Sequence, residues 1–273
     1  MTAEDETEIR RHFPFGENWR SFLTTMNADR IAEAEHGLKR LFPNVELTHR
    51  RFLDIGCGSG LSMLAAHRLG ATVHGIDLDP DSVAATKTLL DKYASANDWS
   101  VAEKSVFELS PERDGRYDIV YSWGVLHHTG SMWMALERAI AIVAPHGRLA
   151  VALYRRTPLC RLWRLEKRFY ARAPASVQAT VRTLYKGCYL AALIATGCSP
   201  RRYLANYKSA RGMDWSHDVH DWLGGYPYES TEPTAVVAFL ERHGLSIERM
   251  FAHSAIANGL FGTHCDEYVA TRD

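Results

Sequence analysis

From residue 51 onward the apolar positions switch repeatedly between short continuous runs and a spacing of three and four. Runs near 51–55, 71–76, 99–103, 117–122 and 147–154 read as buried strands, and helical spacing near 60–69, 80–93 and 131–143 falls between them. Alternation of this kind predicts a doubly wound α/β fold around a mostly parallel sheet. Leu245 to His253 and Asp266 to Thr271 add two further strand-like runs after a helix at Glu232 to His243, and Gly259 and Gly262 put a loop between them. Ahead of the sheet, Asp29 to Phe42 carries Ile31, Ala34, Leu38 and Leu41 at helical spacing, with Asp29 as the expected N-cap and Pro43 past the end.

These patterns divide the chain into an N-terminal helical lid at 1–50, a ligand-binding core at 51–154, a helical cap insertion at 155–230 and a return to the core sheet at 231–273. An insertion of that length in a compact fold is usually functional. Within the lid, Phe13, Phe15, Trp19 and Phe22 cluster around Pro14 and Gly16.

The most informative stretch is Phe52-Leu-Asp-Ile-Gly-Cys-Gly-Ser-Gly60, a strand that runs into three alternate glycines and then a helix. Gly56, Gly58 and Gly60 permit positive φ and let a ligand approach the main chain. A dinucleotide loop has the spacing Gly-x-Gly-x-x-Gly, whereas here Leu61 stands at the third glycine's position. Asp54, two residues before the first glycine, would repel a pyrophosphate but suits a ligand with an ammonium group, such as S-adenosylmethionine. Asp77 ends the second strand, where an acid holds the ribose hydroxyls of an adenosine.

With those residues in view, the chain resembles the class I S-adenosylmethionine-dependent methyltransferases, near the branch of ubiquinone-biosynthesis O-methyltransferases. The matching segments are Phe52 to Gly60, Val73 to Val83, Tyr117 to Thr129 and Ala144 to Leu153. The resemblance implies a Rossmann-like seven-stranded sheet finished by an antiparallel hairpin, with S-adenosylmethionine as cofactor. It implies N-terminal helices folded over the cofactor, in which Trp19 and Phe22 either line the site or simply pack, and cofactor contacts from Asp54, Gly56, Gly58, Gly60, Asp77, Leu78, Ser105, Val106, Ser122 and Trp123. Two of these depart from the family's habit. Ser105 stands where an acid often accepts from the adenine amino group, so the base would rest on backbone near Val106 and on apolar packing. Trp123 is larger than usual and either shapes the methyl site or packs beneath it.

His127 and His128 follow the fourth strand, beside the expected sulfonium, and are the candidate catalytic pair. A histidine with its ordinary pKa of about 6.5 can take a proton from a hydroxyl or ammonium acceptor. The alternative is that the pair only holds the loop and alignment supplies the rate.

The insertion opens with seven basic residues between Arg155 and Arg172 against one acid, Glu166, interleaved with Leu162, Trp163, Leu165, Phe169 and Tyr170. This is either a basic amphipathic helix for a phosphate-bearing or membrane-associated substrate, or a solvated face over an apolar stripe. Further on, His217, Asp218, His220 and Asp221 have spacings that metals use; an acceptor-gripping or internal hydrogen-bonding role is expected instead, with no metal. Trp222 and Tyr226 complete the expected acceptor roof.

Composition narrows the partners. The 273 residues carry Lys plus Arg equal to Asp plus Glu, at 32 each, which speaks against nucleic acid as the partner of the whole chain. The five cysteines form no Cys-x-x-Cys pair, the N-terminus lacks a signal-peptide core, and the longest apolar run is too short to span a membrane. A cytoplasmic enzyme acting on a small organic acceptor, most simply at oxygen, is expected. C- or N-methylation of a hydrophobic product, an RNA- or protein-binding module that senses the cofactor, and a homo-oligomer remain open.

Overall fold

A computed structural model describes residues 15, 16, 19, 23, 26–95, 98–211, 215–252 and 259–273. Helix α1 (Ala28–Leu41) starts at Asn27, whose side chain accepts from the Arg30 amide at 3.0 Å. Asn27 therefore takes the cap expected of Asp29. Asp29 lies in the first turn, where its charge still complements the helix dipole.

Strand β1 (Arg51–Ile55) leads through the glycine turn into α2 (Leu61–Arg68), then β2 (Thr72–Asp77), α3 (Pro80–Tyr93) and β3 (Trp99–Glu103). Pro80 occupies the first turn of α3, and the Asp79 carboxylate caps it by accepting from the Asp81 amide at 2.9 Å. The second half runs β4 (Tyr117–Trp123), α4 (Met132–Ala141) and β5 (Val143–Tyr154). Strand β5 begins earlier than its apolar run because Val143 already pairs with Tyr117 before a register shift. Four helices follow: α5 (Cys160–Arg172), α6 (Ala175–Ala195), α7 (Pro200–Arg211) and α8 (Trp215–Gly224). The chain then returns through α9 (Pro233–Arg242), β6 (Leu245–Phe251) and β7 (Cys265–Arg272).

The seven strands lie in the order β3-β2-β1-β4-β5-β7-β6, the first five parallel and β7 antiparallel to both neighbours. Strand β1 is buried on both faces, as a central parallel strand must be. Phe52 packs with α1, α2 and α3 on one face, while Leu53 and Ile55 pack with α4 and α9 on the other. Strand order reverses between β1 and β4, so a crevice opens at their carboxyl ends, where such sheets bind ligands. The Thr231 amide donates to Tyr154 O and the Arg156 amide to Thr231 O, both at 2.9 Å. Those bonds pin both ends of the helical excursion beside the carboxyl end of β5, on the crevice side. Among the described residues no helix is long and apolar enough to cross a membrane.

Candidate functional site

The glycine turn has little room for side chains. Gly56, Gly58 and Gly60 have φ of 74°, 54° and 79°. A Cβ on Gly56 would come within 2.4 Å of Val125, and one on Gly58 within 3.1 Å of the Trp19 indole. The amides of Gly56 and Cys57 donate to Ile76 O at 2.7 and 3.1 Å, which ties the turn to β2.

Two carboxyl groups sit against this turn. Asp54 is only 3% exposed, and burial, helped by the charge of Asp77, pushes its carboxyl up to about 8. Burial likewise pushes Asp77 up to about 6, although the Asp79 and Gly58 amides donate to it and pull the other way. Those two bonds, each 2.9 Å, use one site on each Asp77 oxygen. A carboxylate offers about four acceptor positions, so hydroxyls of a ligand can still be received. The pair makes the crevice a poor place for a phosphate and a good place for a positive charge.

The described part of the N-terminal segment covers this half of the crevice. The Gly16 amide donates to Asp79 Oδ2 at 2.8 Å, Trp19 lies on Gly58, and the Phe15 ring is 5.6 Å from that of His128. Phe13 and Phe22 lie outside the described residues.

The remaining expected cofactor residues differ in what they do. Leu78 is exposed at the rim. Ser105 and Glu108 form a capping box, Ser105 Oγ accepting from the Phe107 amide and Glu108 Oε2 from the Ser105 amide. Val106 is buried in the core. Ser122 is buried and donates to Ile55 O at 3.0 Å, tying β4 to β1, and Trp123 stacks on Tyr121 at 5.4 Å.

The histidines occupy a 3-10 turn, Leu126–His128, beyond β4. His127 is fully buried, its ring 3.8 Å from that of Tyr154, and neither of its nitrogens makes a well-aligned hydrogen bond. Burial first, then the neighbouring His128 and Lys167, hold its pKa well below the usual value. His128 is half-buried, and its Nδ1 lies 2.7 Å from Pro227 O. A carbonyl can only accept, so Nδ1 carries the proton and Nε2 the lone pair. The turn is held from a distance: the Glu229 amide donates to His127 O, and Glu229 Oε2 accepts from the Met132 amide at the start of α4.

Strand β5 and the helical excursion complete the other wall. Tyr154, the last residue of β5, meets Trp222 edge-on at 5.3 Å and Tyr228 at 5.4 Å. A Cβ on Gly225 would lie 2.5 Å from His128 Cε1. Beneath Trp222 is Lys167, fully buried, donating to Trp222 O with its ammonium 3.4 Å from the ring centroid. Burial brings its pKa down to about 7. Gly225 and Pro227, on either side of Tyr226, are thus brought to His128, and Trp222 is joined to the histidines through Tyr154. Two polar residues of α8 are engaged inside the cap instead: His220 Nδ1 is 2.7 Å from Tyr170 OH and 3.1 Å from Arg182, and Asp218 accepts from Tyr207 OH. Asp221 is half-buried on the same helix, and the side chain of His217 lies outside the described residues. Among the described residues no His, Cys, Asp and Glu are grouped to hold a metal.

Sequence reasoning passed over Tyr154, Lys167 and Glu229. Tyr154 carried a signal, since it ends a parallel strand at the binding edge; Lys167 and Glu229 read as ordinary charges on helical or loop segments.

A family model described as a methyltransferase domain matches residues 26–196. A ubiquinone biosynthesis O-methyltransferase of Bradyrhizobium diazoefficiens is 37% identical over 106 residues, 39% of this chain and 40% of the relative. The chain thus aligns with well under half the length of that curated relative. Among solved structures, magnesium protoporphyrin IX methyltransferase from Synechocystis PCC 6803 superposes with a TM-score of 0.53 at 15% identity, over 90% of this chain and 81% of that one. A 1,6-didemethyltoxoflavin-N1-methyltransferase from Burkholderia thailandensis gives 0.55 at 13% identity, over 100% and 91%. At such identities the likeness is one of fold.

The raised pKa of Asp54 has a consequence for stability. Between an unfolded value of about 3.9 and a folded value near 8, the folded chain binds the extra proton. Its contribution therefore falls as pH rises, by up to about 1.4 kcal/mol per pH unit. Asp54→Asn removes this cost, so its stability relative to the parent should grow from pH 6 to pH 8 and then level off. Urea unfolding of both proteins across that range checks it; a constant difference would mean that Asp54 ionises freely in the folded chain.

Proposed function

The chain belongs to the methyltransferase-domain family, and on that premise we propose that it transfers a methyl group from S-adenosylmethionine to an oxygen of a small organic acceptor. The observation that carries the reading is the pair of buried carboxyls, Asp54 and Asp77, on a turn whose glycines leave the backbone open. This cradle fits a nucleoside that bears positive charge and no phosphate. Asp77 would receive the ribose hydroxyls, Asp54 would face the amino acid end, and Trp19 would close over Gly58.

When bound, the cofactor supplies an electrophilic methyl on a sulfonium, whose sulfur leaves as a neutral thioether. This chain's residues orient the acceptor and manage its proton. His128 Nε2 takes the proton from the acceptor hydroxyl as the oxygen–carbon bond forms, while the Nδ1–H bond to Pro227 O fixes the ring and stabilises the imidazolium. His127, buried and held neutral, packs between His128 and Tyr154 and fixes their rings. Trp222 and Tyr226 form the roof that keeps water from the acceptor, and a dry site strengthens the contacts that align it. Asp218 and His220 support that roof from within the cap. Oxygen is favoured over carbon or nitrogen by the O-methyltransferase relatives. A cytoplasmic location and a small-molecule acceptor belong to this reading.

With methyl-labelled S-adenosylmethionine and fractionated cell extract, label should enter small molecules, and His128→Ala should lower its rate about a hundredfold with cofactor affinity nearly unchanged. Label found only in RNA or protein would reverse the choice of acceptor. Normal turnover of His128→Ala from pH 6 to 9 would remove the proton-transfer role.

Trp222→Ala and Tyr226→Ala should raise the acceptor KM or lower turnover several-fold while cofactor binding by calorimetry stays within about twofold. Unchanged steady-state kinetics in both would place the acceptor away from this roof.

A further inference from the structure

Helix α5 has two apolar sides, and the cap uses only one. Lys167 and Tyr170 are buried against α8 and the aromatic roof. Leu162, Leu165 and Phe169, spaced three and four apart, are instead 59%, 64% and 58% exposed. At about 100° per residue they fall within roughly 60° of one another on the helix. Arg161, Arg168 and Arg172 fall along one flank of that stripe. Leu165, Arg168, Phe169 and Arg172 join Ala173, Pro174 and Val177 around an open depression of about 450 Å³. The next helix, α6, buries none of its residues and exposes Leu184 and Ile194. Among the described residues nothing covers this outward face.

Charge indicates what would cover it. Between Arg155 and Arg211 there are thirteen basic residues and one acid, Glu166, in a chain whose basic and acidic totals are both 32. The remainder of the chain thus has 19 basic and 31 acidic residues. Residues 212–230 of the cap hold four of those acids, so the whole cap stands at thirteen basic to five acidic residues, and the neutral total conceals a basic cap on an acidic core. A phosphate-bearing surface would be drawn to the cap and repelled elsewhere, which fixes an orientation. Nucleic acid supplies phosphates and can stack a base on Phe169, but the aliphatic Leu162 and Leu165 offer it no stacking surface. A bilayer of anionic lipids uses both the charge and the apolar side chains, with arginines at the headgroups and Leu and Phe in the acyl boundary.

We infer that the exposed face of α5, extended by Pro174 and Val177, docks on an anionic membrane surface without crossing it. The inference does not depend on the reaction proposed above: the face lies outside the crevice, and none of these side chains touches the histidines. Docked this way, the chain meets the bilayer with the cap that covers the crevice.

The test is co-sedimentation of the full chain with vesicles of phosphatidylcholine alone and of phosphatidylcholine with phosphatidylglycerol. Binding is expected to the mixed vesicles, at least tenfold tighter than to the neutral ones, and to weaken as salt is raised from 50 to about 300 mM, where screening shortens. The triple variant Leu162→Ser, Leu165→Ser, Phe169→Ser should lose at least tenfold, and Arg161→Gln with Arg172→Gln should lose most of the salt-sensitive part. Because these positions are exposed, melting temperature and S-adenosylmethionine binding should remain those of the parent, so a loss of docking reads the surface and not folding. Equal binding to both vesicle types, full binding by the triple variant, or binding of single-stranded RNA in the absence of any vesicle binding would each overturn the proposal.

Discussion

Two carboxyl groups held out of water at the ends of adjacent strands set the terms for the site. Asp54 and Asp77 are kept there by the pairing of β1 with β2 and by the glycine turn that folds over them. Ionising both in the free chain is costly, and a positive ligand removes that cost. The glycines keep the backbone bare where such a ligand would lie, and the N-terminal segment closes over it through Gly16 on Asp79 and Trp19 on Gly58. An arrangement that is poor for the empty fold is suited to binding, which is the usual relation between buried charge and function.

The opposite wall depends on Tyr154. Its ring contacts His127, His128, Trp222 and Tyr228, so one residue at the end of β5 joins the histidine turn to the cap. Lys167 lies under the same cluster, bonded to Trp222 O and set on the Trp222 ring. The cap is therefore layered. Its inner layer meets the histidines, its middle layer joins Tyr170, His220, Arg182, Asp218 and Tyr207 by hydrogen bonds, and its outer helix face turns to solvent.

Most of the sheet was legible because strand and helix periods, the glycine turn and the Pro80 start are short-range signals. The β5 boundary was less so, since Val143 extends that strand by pairing with Tyr117, which no local pattern announces. The cap of α1 fell to Asn27 and not Asp29 because both residue types can cap and only geometry chooses. At the site, Asp54, Asp77 and the histidines stood out through their place at strand ends. Lys167 and Glu229 did not, because their roles come from partners 55 and 97 residues away. His220 and Asp218 were conspicuous in sequence, yet their bonds run within the cap.

The central claim is that the crevice selects a cationic nucleoside through Asp54 and Asp77. Calorimetric titration with S-adenosylmethionine and with NAD⁺, repeated in two buffers of different ionisation enthalpy at pH 6.5, tests it most directly. The account predicts binding of the first with release of protons from the raised carboxyls, and no measurable binding of the dinucleotide. Comparable affinity for both, or S-adenosylmethionine binding that releases no protons at that pH, would contradict it.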